Sequence, residues 1–183
     1  DETMKKLKLT LLAIATTVLF PGAANAKSYA GFDLCSPTTA ATLKGAIEKA
    51  GGAVTRVIKD THPDELIVIA KNYPIDVSPR SVSITLYKGQ IAYISIGNAG
   101  DMVQGIEAKY GTKFTTSKKE DKVGITTSHH FLDPSDERLE LTISQFEIAN
   151  KQGTFFSVNY ACKDLYAQME KSREAHTKLN SKN

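Results

Sequence analysis

The sequence has no tryptophan, only two cysteines and no dense run of basic residues. Lysine and arginine number 23 against 20 acidic residues, and the two signs are interleaved along the chain. Nucleic-acid-binding proteins usually carry a concentrated basic face, because phosphate contacts provide much of their affinity. The charge pattern therefore argues against a nucleic-acid partner.

The motifs of the common catalytic and metal sites are also missing. There is no GxSxG sequence, and Ser117-Lys118-Lys119 lacks the spacing of an SxxK pair. His129 and His130 are not part of an HxH or HExxH motif, and neighbouring side chains on a strand point to opposite faces. Asp133-Pro134-Ser135-Asp136 has the composition of a turn rather than of an EF-hand. The sequence therefore gives no catalytic, cofactor-binding or metal-binding residue.

Residues 4–26 have the three parts of a secretory signal peptide. A start with three lysines is followed by the apolar run Leu9 to Phe20 and by the small-residue cleavage site Ala24-Asn25-Ala26. The run of about 12 residues is too short for a bilayer span, which needs about 20. We expect cleavage after Ala26, export to the periplasm or beyond, and no stable membrane insertion afterwards. Residues 1–3 precede the natural start Met4 and are interpreted as a vector-derived remnant.

The mature part predicts one domain that contains a disulfide. Removing the first 26 of the 183 residues leaves 157, the usual length of a single domain. The net charge falls from +3 to +2, because three lysines and two acidic residues leave with the first 26. Cys35 and Cys162 are the only cysteines, and an exported protein meets an oxidising environment. We therefore predict a Cys35–Cys162 disulfide.

Apolar periodicity predicts three helices and eight strands. The first helix should begin at Ser36-Pro37 and end at Gly51-Gly52, and the second should begin within residues 98–101 and end at Gly111. The third should begin near Ala161 and fray into a polar tail from about residue 172. The strands are expected at Ala53–Lys59, Leu66–Asn72, Val82–Tyr87, Gln90–Ile96, Lys113–Ser117, Val123–Phe131, Leu139–Phe146 and Thr154–Tyr160.

This order predicts an α+β domain built on an antiparallel sheet, with helices packed on one face and a C-terminal helix. The sheet divides into two units of one helix and four strands, Ser36–Gly97 and Asn98–Tyr160. The helix ends Gly45–Gly51 and Gly105–Gly111 share both glycines and a lysine. Three identical residues are compatible with an internal duplication and also with a chance similarity between the two helix ends.

A short helix that precedes an antiparallel meander, repeated once in an exported chain, resembles the beta-lactamase inhibitor protein architecture. It is also similar to small envelope proteins of the outer-membrane assembly lipoprotein type. The phrases Ile91-Ala92-Tyr93-Ile94-Ser95-Ile96 and Ile106-Glu107-Ala108-Lys109-Tyr110-Gly111 carry the likeness, which covers most of the mature chain. The resemblance implies that a sheet face or loops are presented to a protein partner, and it transfers no individual functional residue.

Aromatic residues provide the candidate partner-binding groups. Tyr87 and Tyr93 flank the predicted Lys88-Gly89 hairpin, and Phe155 and Phe156 lie on a late strand. Tyrosine is enriched in binding hot spots because it buries much area and keeps a polar tip. Strand alternation should send the two phenylalanines to opposite faces, which leaves one ring partly exposed unless both faces are covered.

The favoured interpretation is a non-catalytic, exported module of the inhibitor or immunity type that binds another protein. Two alternatives stay open. The first is an envelope hydrolase that uses carboxylates or a metal held by histidine, with His129 or His130 meeting an acidic residue in a pocket. The second is an assembly or scaffold component of the envelope.

Overall fold

The computed structural model describes residues 28–59, 62–75, 78–100, 102–110, 114–133, 136–148 and 153–180. The predicted signal peptide and vector-derived remnant lie outside these ranges, as do Gly111 and part of the predicted turn at residues 133–136. The elements are β1 (Ser28–Tyr29), β2 (Phe32–Asp33), α1 (Ala40–Lys49), β3 (Ala53–Lys59), β4 (Glu65–Ile75), β5 (Ser78–Tyr87), β6 (Gln90–Gly97), α2 (Met102–Tyr110), β7 (Thr115–Glu120), β8 (Gly124–Leu132), β9 (Leu139–Ile148), β10 (Thr154–Cys162) and α3 (Lys163–Asn180).

Eight strands form one antiparallel sheet in the order β3-β4-β5-β6-β10-β9-β8-β7. This confirms the predicted α+β fold with a C-terminal helix. Each run of four strands is a meander preceded by a helix, and the last strands of the two runs, β6 and β10, pair at the centre of the sheet. The two units therefore meet through equivalent strands, as a duplicated unit would, and the duplication itself stays a hypothesis.

One face of the sheet, called here the inner face, forms the main core. Alternate residues of the central strands point to it because side chains along a strand have a period of two. Leu43 and Ile47 of α1, Ile106 of α2 and the β1–β2 hairpin cover this face. Full burial of each large apolar side chain contributes roughly 1.5–3 kcal/mol. The strand residues of this core include Val68, Val82, Ile84, Ile94, Ile96, Phe131, Leu141, Ile143 and Val158.

The start of α1 differs from the prediction. The Thr39 hydroxyl, rather than that of Ser36, caps the helix, and it accepts from the Thr42 amide at 3.1 Å. The Ser36 carbonyl accepts instead from the Ile91 amide at 3.0 Å, and Pro37 forms a bridge with Gln90. The predicted start at Ser36-Pro37 is wrong because this segment is extended against the beginning of β6.

A disulfide joins Cys35 to Cys162, as the sequence predicts. The two Cα atoms are 5.3 Å apart, and 127 positions separate the residues along the chain. The bond connects the segment after β2 to the end of β10, so it ties the N-terminal hairpin to the centre of the sheet. Close by, the Tyr29 hydroxyl donates a hydrogen bond to the buried carboxylate of Asp133. A disulfide is compatible with an exported protein.

Helix α3 packs on the opposite face of the sheet, called here the outer face. Its buried Met169 contacts Tyr87 and Ala92, and it lies over β5, β6 and β10. The Arg173 guanidinium donates two hydrogen bonds of 2.8 Å to the Glu65 carboxylate, whose side chain is 1% exposed. The predicted frayed tail from about residue 172 is wrong, because this ion pair holds the helix against the sheet and α3 continues to Asn180. No helix in the described part of the chain is long and apolar enough to cross a membrane.

Candidate functional site

Two rows of short polar side chains run across the outer face beside α3. Residues that are paired in register share a face, so each row can be followed from strand to strand. We call these two rows the open face. The first row contains Ser83, Ser95, Asn159, Thr142 and His130, and the second contains Ser81, Ser157, Ser144, Ser128 and Ser117.

The open face lies where the helical cover ends. Thr142, Ser144 and Ser128 are half-exposed, and Ser117 on the edge strand β7 is exposed. The other side of the same strands carries buried residues such as Ile143 and Val158. On β8, on β9 and at Ser157 of β10, the outer side therefore carries half-exposed polar side chains, whereas the inner side of β9 and β10 contributes residues to the core.

Hydrogen bonds between the side chains order the open face. The Ser95 hydroxyl donates to Asn159 Oδ1 at 2.8 Å, and Asn159 Nδ2 donates to Ser157 Oγ at 3.3 Å. Ser128 and Ser144 share a hydroxyl–hydroxyl bond of 3.1 Å across β8 and β9. These groups are held in fixed directions before any ligand arrives, and each hydroxyl oxygen has further acceptor capacity.

His130 is the most connected side chain of the open face. Its Nδ1 lies 3.0 Å from Glu140 Oε1 and 3.1 Å from Thr142 Oγ1. Its Nε2 lies 3.0 Å from the Ser117 hydroxyl. The imidazole therefore links β7, β8 and β9 and is one-third exposed together with Glu140.

His129 points to the inner side, as strand alternation predicts. Its Nδ1 lies 3.0 Å from Thr116 Oγ1, and its ring packs edge-on against Phe114 with centroids 4.5 Å apart. The two adjacent histidines therefore have separate surroundings. Among the residues that the structure describes, no group of three or more His, Cys, Asp or Glu side chains could hold a metal ion.

Two of the four aromatic candidates are on β5 and β6 next to α3. Tyr87 is 4% exposed beneath Met169, so its selection as a surface contact is wrong. Tyr93 is half-buried and stacks on Tyr166 with ring centroids 5.0 Å apart. Burial raises the pKa of the Tyr93 hydroxyl far above its usual range, and the nearby Tyr166 and Glu170 act in the same direction.

The other two aromatic candidates are divided between the faces, which confirms the prediction from alternation. Phe155 lies on the outer face opposite Phe146 and is 52% exposed. Phe156 lies on the inner side, half-buried against Gly100 ahead of α2. Of the four candidates, Phe155 is thus the exposed ring that borders the open face.

The polar rows and the contacts of His130 are absent from the sequence prediction. Serine and threonine are common in strands and turns, so their alternation gave no separate signal. Ser117, His130 and Glu140 meet only through the registers of β7 with β8 and of β8 with β9. The one sequence signal for the polar rows was the alternation of serines with buried residues in β5, β6 and β10.

Comparison of the chain with protein-family models, with curated proteins and with solved structures finds no match. The resemblance to exported inhibitor and assembly proteins therefore stays an expectation from the order of elements.

Proposed function

We propose that this protein is an exported binding module of the inhibitor or immunity type, and that it binds another protein through the open face. The observation that carries the proposal is an array of short polar side chains that are half-exposed on β8 and β9 and fixed by mutual hydrogen bonds, on strands whose other side carries buried core residues such as Phe131 and Ile143. Such an array offers many hydrogen-bonding groups on a rigid support.

The energetics of these side chains favour binding. Serine, threonine and asparagine lose less rotamer freedom than lysine or glutamate when they are fixed, so a partner orders them at low entropic cost. Their hydroxyl and amide groups adapt to donors and acceptors alike. The exposed ring of Phe155 adds an apolar anchor at the border, which is the usual composition of a binding hot spot.

Export to the periplasm or the extracellular space is part of the proposal. The composition of residues 4–26 supports it, and so does the bond between Cys35 and Cys162. The partner would then be an envelope or extracellular protein.

Site-specific photo-crosslinking in the living host tests the binding surface. A photoreactive residue at Ser144, on the open face, should give one discrete adduct with a second protein. The matched control is the same residue at the exposed Lys44 of α1, which lies on the inner side. Identical adducts from both positions, or no adduct from Ser144, would contradict the proposal.

A second pair of variants tests the aromatic anchor. Phe155→Ser in the Ser144 crosslinking protein should lower the adduct yield by about tenfold, the effect of losing roughly 1.4 kcal/mol of binding free energy. Val123→Ser removes another exposed apolar side chain, at the β7–β8 turn, and should leave the yield unchanged. Equal losses from both variants would show that the effect is not specific to the open face.

A further inference from the structure

We propose that Ser117, His130 and Glu140 form a nucleophilic relay that hydrolyses short carboxylic esters. This activity goes beyond partner binding, and its serine nucleophile differs from the carboxylates or histidine-held metal of the hydrolase alternative. The three side chains come from the neighbouring strands β7, β8 and β9 and share the outer face. The two distances that connect them are both 3.0 Å, within the range in which a nucleophile contacts its base and the base contacts its orienting group.

The acceptor chemistry of Glu140 fixes the proton positions in the relay. An ionised carboxylate only accepts hydrogen bonds, so the imidazole proton must reside on Nδ1, which donates to Glu140 and Thr142. Nε2 then carries a lone pair and accepts the Ser117 hydroxyl proton. These are the roles of serine, histidine and acid in a hydrolytic triad, which is defined by geometry and not by sequence order.

The reaction has two balanced halves. Ser117 Oγ attacks the ester carbonyl carbon while its proton passes to His130 Nε2. The C–O bond to the alcohol then breaks, and the leaving oxygen takes the proton from Nε2. Water attacks the resulting acyl-Ser117, giving one proton to Nε2, and cleavage of the acyl bond returns that proton to Ser117 and releases the carboxylic acid. Glu140 acts as a positioning residue throughout.

The surroundings of Ser117 indicate the class of substrate. Every residue of β7 is exposed, so the site has no deep walls that would hold a long acyl chain. The neighbouring serine rows match a hydroxyl-rich alcohol portion. Lys119 lies two residues from Ser117 on the same face of β7, where its positive charge favours the developing oxyanion. Short acyl esters of polyhydroxy compounds fit these features, and exposure to water predicts modest turnover.

The test uses the oxidised protein with a fluorophosphonate probe and p-nitrophenyl acetate. We expect covalent labelling of Ser117, located by peptide mass analysis, and ester hydrolysis that Ser117→Ala abolishes. His130→Ala should lower hydrolysis by about 100-fold, the contribution of a general base. Glu140→Gln should lower it by about tenfold and change the pH profile, because the amide no longer fixes the Nδ1 proton.

The chain offers two matched controls. Thr116→Ala removes the neighbouring hydroxyl of β7, which lies on the inner side and contacts His129 rather than His130. His129→Ala removes the adjacent imidazole, which contacts Thr116 on the inner side. Both variants should retain activity, with folding checked by thermal unfolding of the oxidised protein. No labelling and no hydrolysis by the unmodified protein, hydrolysis by Ser117→Ala at the unmodified rate, or equal losses in Thr116→Ala would each overturn the relay. None of these results affects the crosslinking test of partner binding.

Discussion

Along the strands β8 to β10, neighbouring residues point to opposite faces of the sheet, and the two faces differ in chemistry. On β9, Ile143 is buried in the inner core, and the next residue, Ser144, is half-exposed on the open face. The inner side is held by apolar burial in the main core, whereas the outer side has hydrogen-bonded hydroxyls. The difference indicates that stability resides on one face, which leaves the other face available for function.

The outer face is itself divided. Over β5, β6 and β10, α3 buries a small apolar cluster and is held by the Glu65–Arg173 pair. On β8 and β9 the same face carries half-exposed polar side chains. The position of α3 therefore sets the border of the open face. The inner core, the helical cover and the sheet edge can each be weakened by a separate substitution.

Removing the disulfide is expected to have the largest effect. Replacing both Cys35 and Cys162 with serine should lower the free energy of unfolding by roughly 4–5 kcal/mol, as the chain-entropy model gives for a loop of more than about 100 residues. Urea unfolding measures the change, and the reduced unmodified protein should match the variant. A loss below about 1 kcal/mol would mean that the bond does not stabilise the inner side.

A matched pair on β9 compares the two faces directly. Ile143→Ala should cost about 2–5 kcal/mol because it leaves a cavity in a close-packed core. Ser144→Ala, one residue away on the open face, should change stability by less than about 0.5 kcal/mol. Both values come from urea unfolding. Similar losses for the two variants would contradict the assignment of stability to the inner face.

The helical cover can be weakened on its own. Arg173→Ala leaves the buried Glu65 carboxylate without its charged partner and should cost roughly 2–3 kcal/mol, less than a fully buried pair because Arg173 is 29% exposed. Hydrogen exchange should also rise in the last turns of α3. Glu170→Gln alters the more exposed member of the same network and should cost less than about 0.5 kcal/mol. Unchanged stability in Arg173→Ala would show that the apolar contacts of Met169, Leu165 and Tyr166 hold α3 without the ion pair.

The architecture was predictable because the relevant signals are local. Alternating β-branched residues located the strands, Gly51-Gly52 marked the end of α1, and the two cysteines of the chain paired. The start of α1 was missed because Ser36-Pro37 has good capping chemistry, yet its backbone pairs with β6. The length of α3 was missed because its polar end is stabilised by Glu65, which is distant in sequence.

The candidate site was much less predictable, because it depends on register. Strand alternation correctly placed His129 and His130 on opposite faces, and Phe155 and Phe156 likewise. It could not show that Ser117 and Glu140 flank His130, since that requires the alignment of three strands. Tyr87 was selected for its residue type, and its burial follows from the path of α3.

The β7–β8 turn at the sheet edge provides the smallest expected effect. Asp121 Oδ1 accepts hydrogen bonds from the Val123 and Gly124 amides at 2.8 and 3.1 Å, and these bonds lower the pKa of the Asp121 carboxyl. A lowered pKa stabilises the fold above the unfolded value of about 4, and this stabilisation is lost as the pH falls through the folded pKa. Asp121→Asn should therefore be slightly less stable than the unmodified protein at pH 7.

This difference should shrink as acid neutralises Asp121 in the unmodified protein. Urea midpoints measured from pH 7 down to about pH 2 follow the change, because that range spans the titration of the carboxyl. Lys122→Ala, in the same turn, should show a difference that does not vary over this range. If the stability difference between Asp121→Asn and the unmodified protein did not change with pH, the charge of Asp121 would not stabilise the turn. The edge of the open face would then depend on strand pairing alone.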